Sequence, residues 1–106
     1  MAKYLLEVNY TLDGIKGLRS KGGSARVEAA RELIEGLGGK MESFYFAFGN
    51  ADVYVIADFP DNISAAAAAL TVSSGGGATA RTAVLLTAAE VDEAASKKTT
   101  YRPPGT

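Results

Sequence analysis

The fold class predicted for this sequence is α+β, a strand, helix, strand, strand, helix, strand sandwich with a short helix near its C-terminal end. Three observations carry it. Residues Tyr4 to Thr11 alternate with a period of two, two runs rich in aromatic and β-branched residues lie side by side around Gly49 and Asn50, and helical spacing fills the stretches between the strand-like runs. That order is the split βαβ, or ferredoxin-like, βαββαβ arrangement. Right-handed crossovers then place both main helices on one face of a four-stranded antiparallel sheet.

Taken in order, Tyr4, Leu6, Val8 and Tyr10 alternate with Leu5, Glu7, Asn9 and Thr11, the pattern of a half-buried first strand. From Leu12 to Lys21 the pattern loosens around Gly14 and Gly17 and reads as a connection. Ser24 is the expected N-cap of the first helix, which runs to about Gly36 with Val27, Ala30, Leu33, Ile34 and Leu37 at helical spacing; Gly38 and Gly39 close it. Lys40–Phe48 and Asp52–Phe59 form a hairpin, with Gly49-Asn50 predicted to supply the positive backbone angles of a tight turn. Phe44, Phe46 and Phe48 then share one sheet face. Pro60 ends the third strand, Asp61 or Asn62 caps the next helix, and the alanines from Ala65 to Ala69 let that helix lie close on the sheet. Ser73, Ser74 and Gly75 to Gly77 break it, Thr79 to Leu86 return to strand, and Thr87 with Glu90 has the spacing of a capping box opening a last helix to Lys97.

A chain of 106 residues is expected to form a single domain over 1–106, with residues 98–106, containing Tyr-Arg-Pro-Pro-Gly-Thr, as an extended tail. Eleven basic against 12 acidic side chains leave a net charge of −1, which disfavours general binding to nucleic acid. Without Cys or His the chain has no thiolate nucleophile, no imidazole acid or base, and no ligands for haem iron or Cys/His zinc. No cofactor and no metal are therefore expected. No apolar run approaches the roughly 20 residues that span a bilayer, and the N-terminus lacks the features of a secretory signal. The expectation is a soluble, cytoplasmic protein without a membrane partner.

The strands carry more apolar side chains than one helical layer can cover. Tyr54 and Ile56 oppose Val53, Val55 and Ala57 on the third strand, and both faces of the second are largely apolar. A bare apolar sheet face calls for a partner, so a homo-oligomer is expected.

These residues also resemble a known family. Ala-Lys-Tyr-Leu-Leu-Glu-Val-Asn-Tyr-Thr at the start, Gly-Gly-Ser-Ala-Arg at Gly22 to Arg26, the stretch from Leu37 through Phe48, Gly49 and Asp52 to Asp58, and Ala-Arg-Thr-Ala-Val-Leu-Leu-Thr near the end look like the GYD-domain proteins, small proteins of uncharacterised function. The likeness covers almost the whole chain. Of the Gly, Tyr, Asp signature this sequence has Gly49 and Asp52, with Ala51 where the Tyr is usual. The resemblance implies a ferredoxin-like fold of the dimeric α/β-barrel kind and implies no activity.

Few residues are equipped for chemistry. Asp52, beside the turn, can act as a base or accept the N–H bonds that hold the turn, and the bracing role is the expected one. Arg81 lies in the last strand, which pairs with the first in this topology, so Glu7 is its expected cross-strand partner and a substrate carboxylate the alternative. Tyr10, Tyr45 and Tyr54 can donate hydrogen bonds into a cavity or simply fill the core. The densest constellation is basic. Lys16, Arg19, Lys21, Arg26 and Arg31 face only Glu28, and Arg19, Lys21, Gly22, Gly23, Ser24 and Arg26 surround what reads as a Gly-Gly-Ser turn at a helix N-terminus, suited to a phosphate or carboxylate.

The favoured functional expectation is a homo-oligomeric protein that binds a small, anionic molecule at or near a subunit interface, with Arg19, Lys21, Gly22, Gly23, Ser24, Arg26, Asp52 and Arg81 as candidate ligand contacts. Two alternatives stand beside it. One is a cofactor-independent enzyme, monooxygenase- or isomerase-like, with Asp52, Arg81 and a tyrosine facing a closed cavity; the other is a structural assembly protein.

Overall fold

Eight elements follow one another in the computed structural model, which describes residues 1–106: β1 (Ala2–Tyr10), α1 (Leu12–Lys21), α2 (Gly23–Gly36), β2 (Lys40–Phe46), β3 (Val53–Phe59), α3 (Asn62–Ser74), β4 (Ala78–Leu85) and α4 (Ala88–Ala95). The strands form one antiparallel sheet in the order β2-β3-β1-β4, the ferredoxin-like order. No helix is long and apolar enough to cross a membrane.

One helix is added to the expected set. The stretch read as a connection is α1, capped by Thr11, whose hydroxyl accepts the Gly14 N–H at 3.2 Å. Gly14 and Gly17 lower its intrinsic propensity, which hides it from a periodicity reading. Its partners lie far along the chain: Thr11 N–H donates to the Gly77 carbonyl at 3.0 Å and the Thr11 hydroxyl to the Gly76 carbonyl at 2.9 Å. Gly22 alone then joins α1 to α2, at φ 83° and ψ 172°, a conformation open in practice only to glycine. Gly22, rather than Ser24, is the α2 N-cap, and no side chain caps that end. At the other end Gly38, at φ 79°, donates to Glu35 O and Gly39 to Ile34 O, the paired bonds of a Schellman stop.

The helix-covered side of the sheet holds the core. Tyr4 and Leu6 from β1, Val53, Val55, Ala57 and Phe59 from β3, and Met41 from β2 pack with Ile34 of α2 and Ala65 and Ala68 of α3. The small alanines bring α3 close, as the sequence predicts. Tyr4 meets Phe59 edge-on at 5.6 Å between centroids, and its hydroxyl donates to the Asn62 side chain.

The register of β2 departs from simple alternation. Met41 pairs with Ala57 and Ser43 with Ile56, leaving Glu42 as the extra residue of a bulge. Met41 and Phe44 consequently share the helix side, although period two would separate them. Phe44 and Phe46 stack edge-on there at 5.1 Å, whereas Phe48 lies past the strand end and is fully exposed, so the three phenylalanines do not share a face.

The link between β2 and β3 also differs from the expected tight turn. Residues 47–52 lie between the two strands, Gly49 does not have a positive φ, and nothing crowds it. The loop is held by Asp52, whose carbonyl accepts Ala47 N–H at 2.8 Å and whose N–H donates to Val8 O at 2.9 Å.

On the helix-free side the register sets out rows across the sheet. One runs Ser43, Ile56, Leu5, Ala83; the next runs Tyr45, Tyr54, Glu7, Arg81. At one end Lys3 bridges Glu42 and Asp58, and these two carboxylates, Glu42 first, hold the Lys3 ammonium above its ordinary pKa.

Candidate functional site

Tyr10 ends β1 with its side chain on the helix side, where three hollows meet. Between sheet and helices lies a cavity of about 100 Å³, walled by Leu6, Val8 and Val55 below and by Ala30, Leu33 and Val72 above. Arg26 of α2 is the sole charged residue on its wall. Alongside opens a cleft of about 450 Å³, to which α1 contributes Asp13, Leu18 and Lys21, α2 contributes Arg26, and the end of α3 contributes Thr71. Tyr10, Arg26, Leu33, Val72 and Ala78 border both spaces, so the polar cleft and the apolar cavity adjoin across one tyrosine and one arginine. A third groove of about 340 Å³ runs past the opposite side of Tyr10, between Ile15 and Leu18 of α1 and Phe46, Phe48 and Asp52.

Close backbone approach makes this geometry possible. A Cβ on Gly14 would stand 1.9 Å from the Gly77 carbonyl oxygen, and one on Gly23 would stand 2.9 Å from the Phe46 ring. The glycines thus let α1 lie across the Tyr10 end of the sheet, and that crossing helix forms the wall of the cleft.

Partial burial raises the Tyr10 phenol above its ordinary pKa, opposed by the Arg26 guanidinium and reinforced by the Asp52 carboxylate. Asp52 Oδ2 in turn accepts the backbone N–H of Tyr10 at 2.8 Å. With its amide and carbonyl also engaged, Asp52 fastens the β2–β3 link to the end of β1.

The residues singled out in the sequence fall into three places. Lys21 and Arg26 both line the cleft, with Gly22 and Gly23 forming the helix junction between them. Arg19 and Ser24 are exposed outside it. Arg81 stands on the helix-free face directly opposite Glu7, as the pairing of first and last strands requires, but the two form no ion pair. Asp52 and Arg81 therefore do not share a cavity, and neither lines the apolar one. Tyr45 and Tyr54 pair on the helix-free face, leaving Tyr10 as the tyrosine of that trio that borders the hollows. Asp13 escaped the sequence reading together with the helix that carries it. The signal that could have found both is Thr11 as a cap, Asp13 in the first turn, and Arg19 and Lys21 in the last.

The family model described as GYD domain matches residues 4–95 of the chain. No curated protein and no solved structure matches it.

Proposed function

This chain belongs to the GYD-domain family, and from that premise we propose that it is a homo-oligomeric binding protein for a small amphipathic anion held at the Tyr10–Arg26 cleft. One observation carries the ligand reading: an apolar cavity whose sole charged wall residue, Arg26, also borders a polar cleft containing Lys21. A carboxylate or similar oxyanion placed against Arg26 and Lys21 would send a short apolar group into the cavity. The combined space is of the size that small-molecule sites occupy. Burying about three methylenes at ~0.8 kcal/mol each, together with a charge-assisted bond of ~1.5–3 kcal/mol, gives binding between about 1 mM and 0.1 mM. Tyr10, whose phenol is made harder to ionise by burial, supplies a hydrogen-bond donor at the boundary.

Assembly is supported by the helix-free face, where Leu5, Ile56 and Ala83 lie in adjacent positions of one row and Tyr45 and Tyr54 in the next. A second copy covering this face would bury on the order of 800 Å² per chain.

Calorimetry with acetate, butyrate, hexanoate and benzoate tests the ligand reading. Affinity should rise with apolar size until the cavity is full, fall with salt, and be lost in Arg26→Ala more completely than in Lys21→Ala, because a guanidinium can grip an oxyanion with two parallel bonds. Absence of heat from every acid at millimolar concentration, or equal affinity in Arg26→Ala, would defeat it. For assembly, light scattering should give more than one chain at micromolar concentration, and Ile56→Arg should reduce that mass.

A further inference from the structure

We infer that α4 of one copy docks on α1 of a second copy, so that the partner's C-terminal arm covers the outer wall of the cleft. Every residue from Leu86 to Thr106 is exposed on its own chain, and α4 buries nothing. Yet α4 is built to persist. Thr87 and Glu90 form a reciprocal capping box at 2.8 and 3.1 Å, and Leu86 and Val91 stand at the spacing of a hydrophobic staple. An eight-residue helix is marginal in water on its own. Packing against another surface is what would make it stable.

Charge and spacing select that surface. Ala88, Val91, Asp92 and Ala95 fall at i, i+3, i+4 and i+7, an apolar stripe with one acid on it. On α1, Leu12, Ile15, Lys16 and Arg19 repeat the same spacing with bases in place of the acid. Leu12, Ile15 and Val91 are all exposed. The ion pairs of the chain involve only Lys3, Glu42, Asp58, Arg31 and Glu28, so neither Asp92 nor the α1 bases are matched internally. The other apolar helix surface, around Ile63 and Leu70 of α3, has no charged residue between Asn62 and Ser74 to complement α4.

Topology requires the contact to be made between copies. Thr11 bonds to Gly77 at one end of α1 and Gly23 lies against Phe46 just past the other, so α1 spans the Tyr10 end of the sheet. β4 finishes beside Lys3, seven residues back along β1, a distance of about 23 Å. Only Leu86 and Thr87 separate β4 from α4, a reach of about 7 Å. The α4 of a chain therefore starts at the wrong end of its own sheet to meet its own α1. Two copies related by a two-fold axis perpendicular to the strands bring the Leu85 end of each over the Tyr10 end of the other and make the contact twice.

Charge exchange between full-length chains tests this by sedimentation. Asp92→Lys/Glu93→Lys and Lys16→Glu/Arg19→Glu should each weaken the dimer about tenfold at low salt, and an equimolar mixture of the two should recover it, because only the mixed dimer makes both contacts complementary. All four positions are exposed, so folding is not at stake. Wild-type association in both variants, or a mixture no tighter than its components, would overturn the proposal. The proposal is independent of ligand binding, and Ile56→Arg separates it from the sheet-face contact: a dimer broken by that change but indifferent to the α4 and α1 charges would overturn α4 docking alone.

Discussion

Gly14 and Gly77 touch backbone to backbone: a Cβ on Gly14 would overlap the Gly77 carbonyl, 1.9 Å away. The contact fixes α1 across the sheet end, helped by the Thr11 N–H bond to the same carbonyl. Gly14→Ala should therefore destabilise the protein by about 2 kcal/mol or more, since backbone rather than a flexible side chain must move. Gly17, in the same helix, has nothing within 4 Å of its Cβ position. Gly17→Ala should stabilise by about 0.5–1 kcal/mol through helix propensity and a less free unfolded chain. Thermal melts of the two variants, moving in opposite directions, check the assignment.

A second pair separates glycines that look alike in the sequence. Gly22 holds φ 83° between two helices, so Gly22→Ala should cost about 1–3 kcal/mol. Gly49 has neither a positive φ nor close neighbours, and Gly49→Val should stay within about 0.5 kcal/mol of wild type. Urea denaturation measures both. A large loss at Gly49 would restore the tight turn.

Why some elements were legible and others not follows from where their determinants lie. The alternation in β1 and β3, the alanines and Asp61 cap of α3, and the Thr87–Glu90 box of α4 are local signals, and each led to the right element. α1 was missed because the reason for Gly14 is at Gly77, far along the chain. Gly49-Asn50 has the local chemistry of a hairpin turn, but the loop is set by the bonds of Asp52 to Val8, Ala47 and Tyr10. In the site, the basic cluster was visible as composition. That Arg26 and Lys21 face one cleft while Arg19 points elsewhere depends on the path of α1, which no periodicity reports.

Titration of Tyr10 probes the candidate site without a ligand. Its phenol is raised first by burial, so the stability it contributes is complete below the pH at which an unfolded tyrosine ionises, about 10, and is lost as the pH rises through the higher folded value. Arg26→Ala removes the cation that favours the phenolate and should move the titration further up, whereas Asp52→Asn should move it down. Ring-labelled NMR resolves Tyr10 from the other four tyrosines. No response to either substitution would separate Tyr10 from Arg26 and Asp52.

At the acid end, the Thr87 N–H holds the Glu90 carboxyl below the usual range. A lowered folded pKa means support that is present above about pH 4 and lost as the pH falls through the folded value. Helicity of α4, followed through its amide resonances, should decline over that fall. Glu90→Ala should remove the pH dependence together with the cap.

The extra residue in β2 has a consequence for chain length. Without Glu42, residues Lys40, Met41, Ser43, Phe44, Tyr45 and Phe46 would alternate without interruption, each opposite the β3 partner it already has. A one-residue deletion elsewhere in the body of these strands would send the following side chains to the wrong face. Deleting Glu42 keeps every apolar side chain of β2 in phase and gives up chiefly the bond to Lys3. Tolerance to gaps within the sheet is thus concentrated at the bulge, and that is the place where relatives of different length can be aligned without disturbing either face.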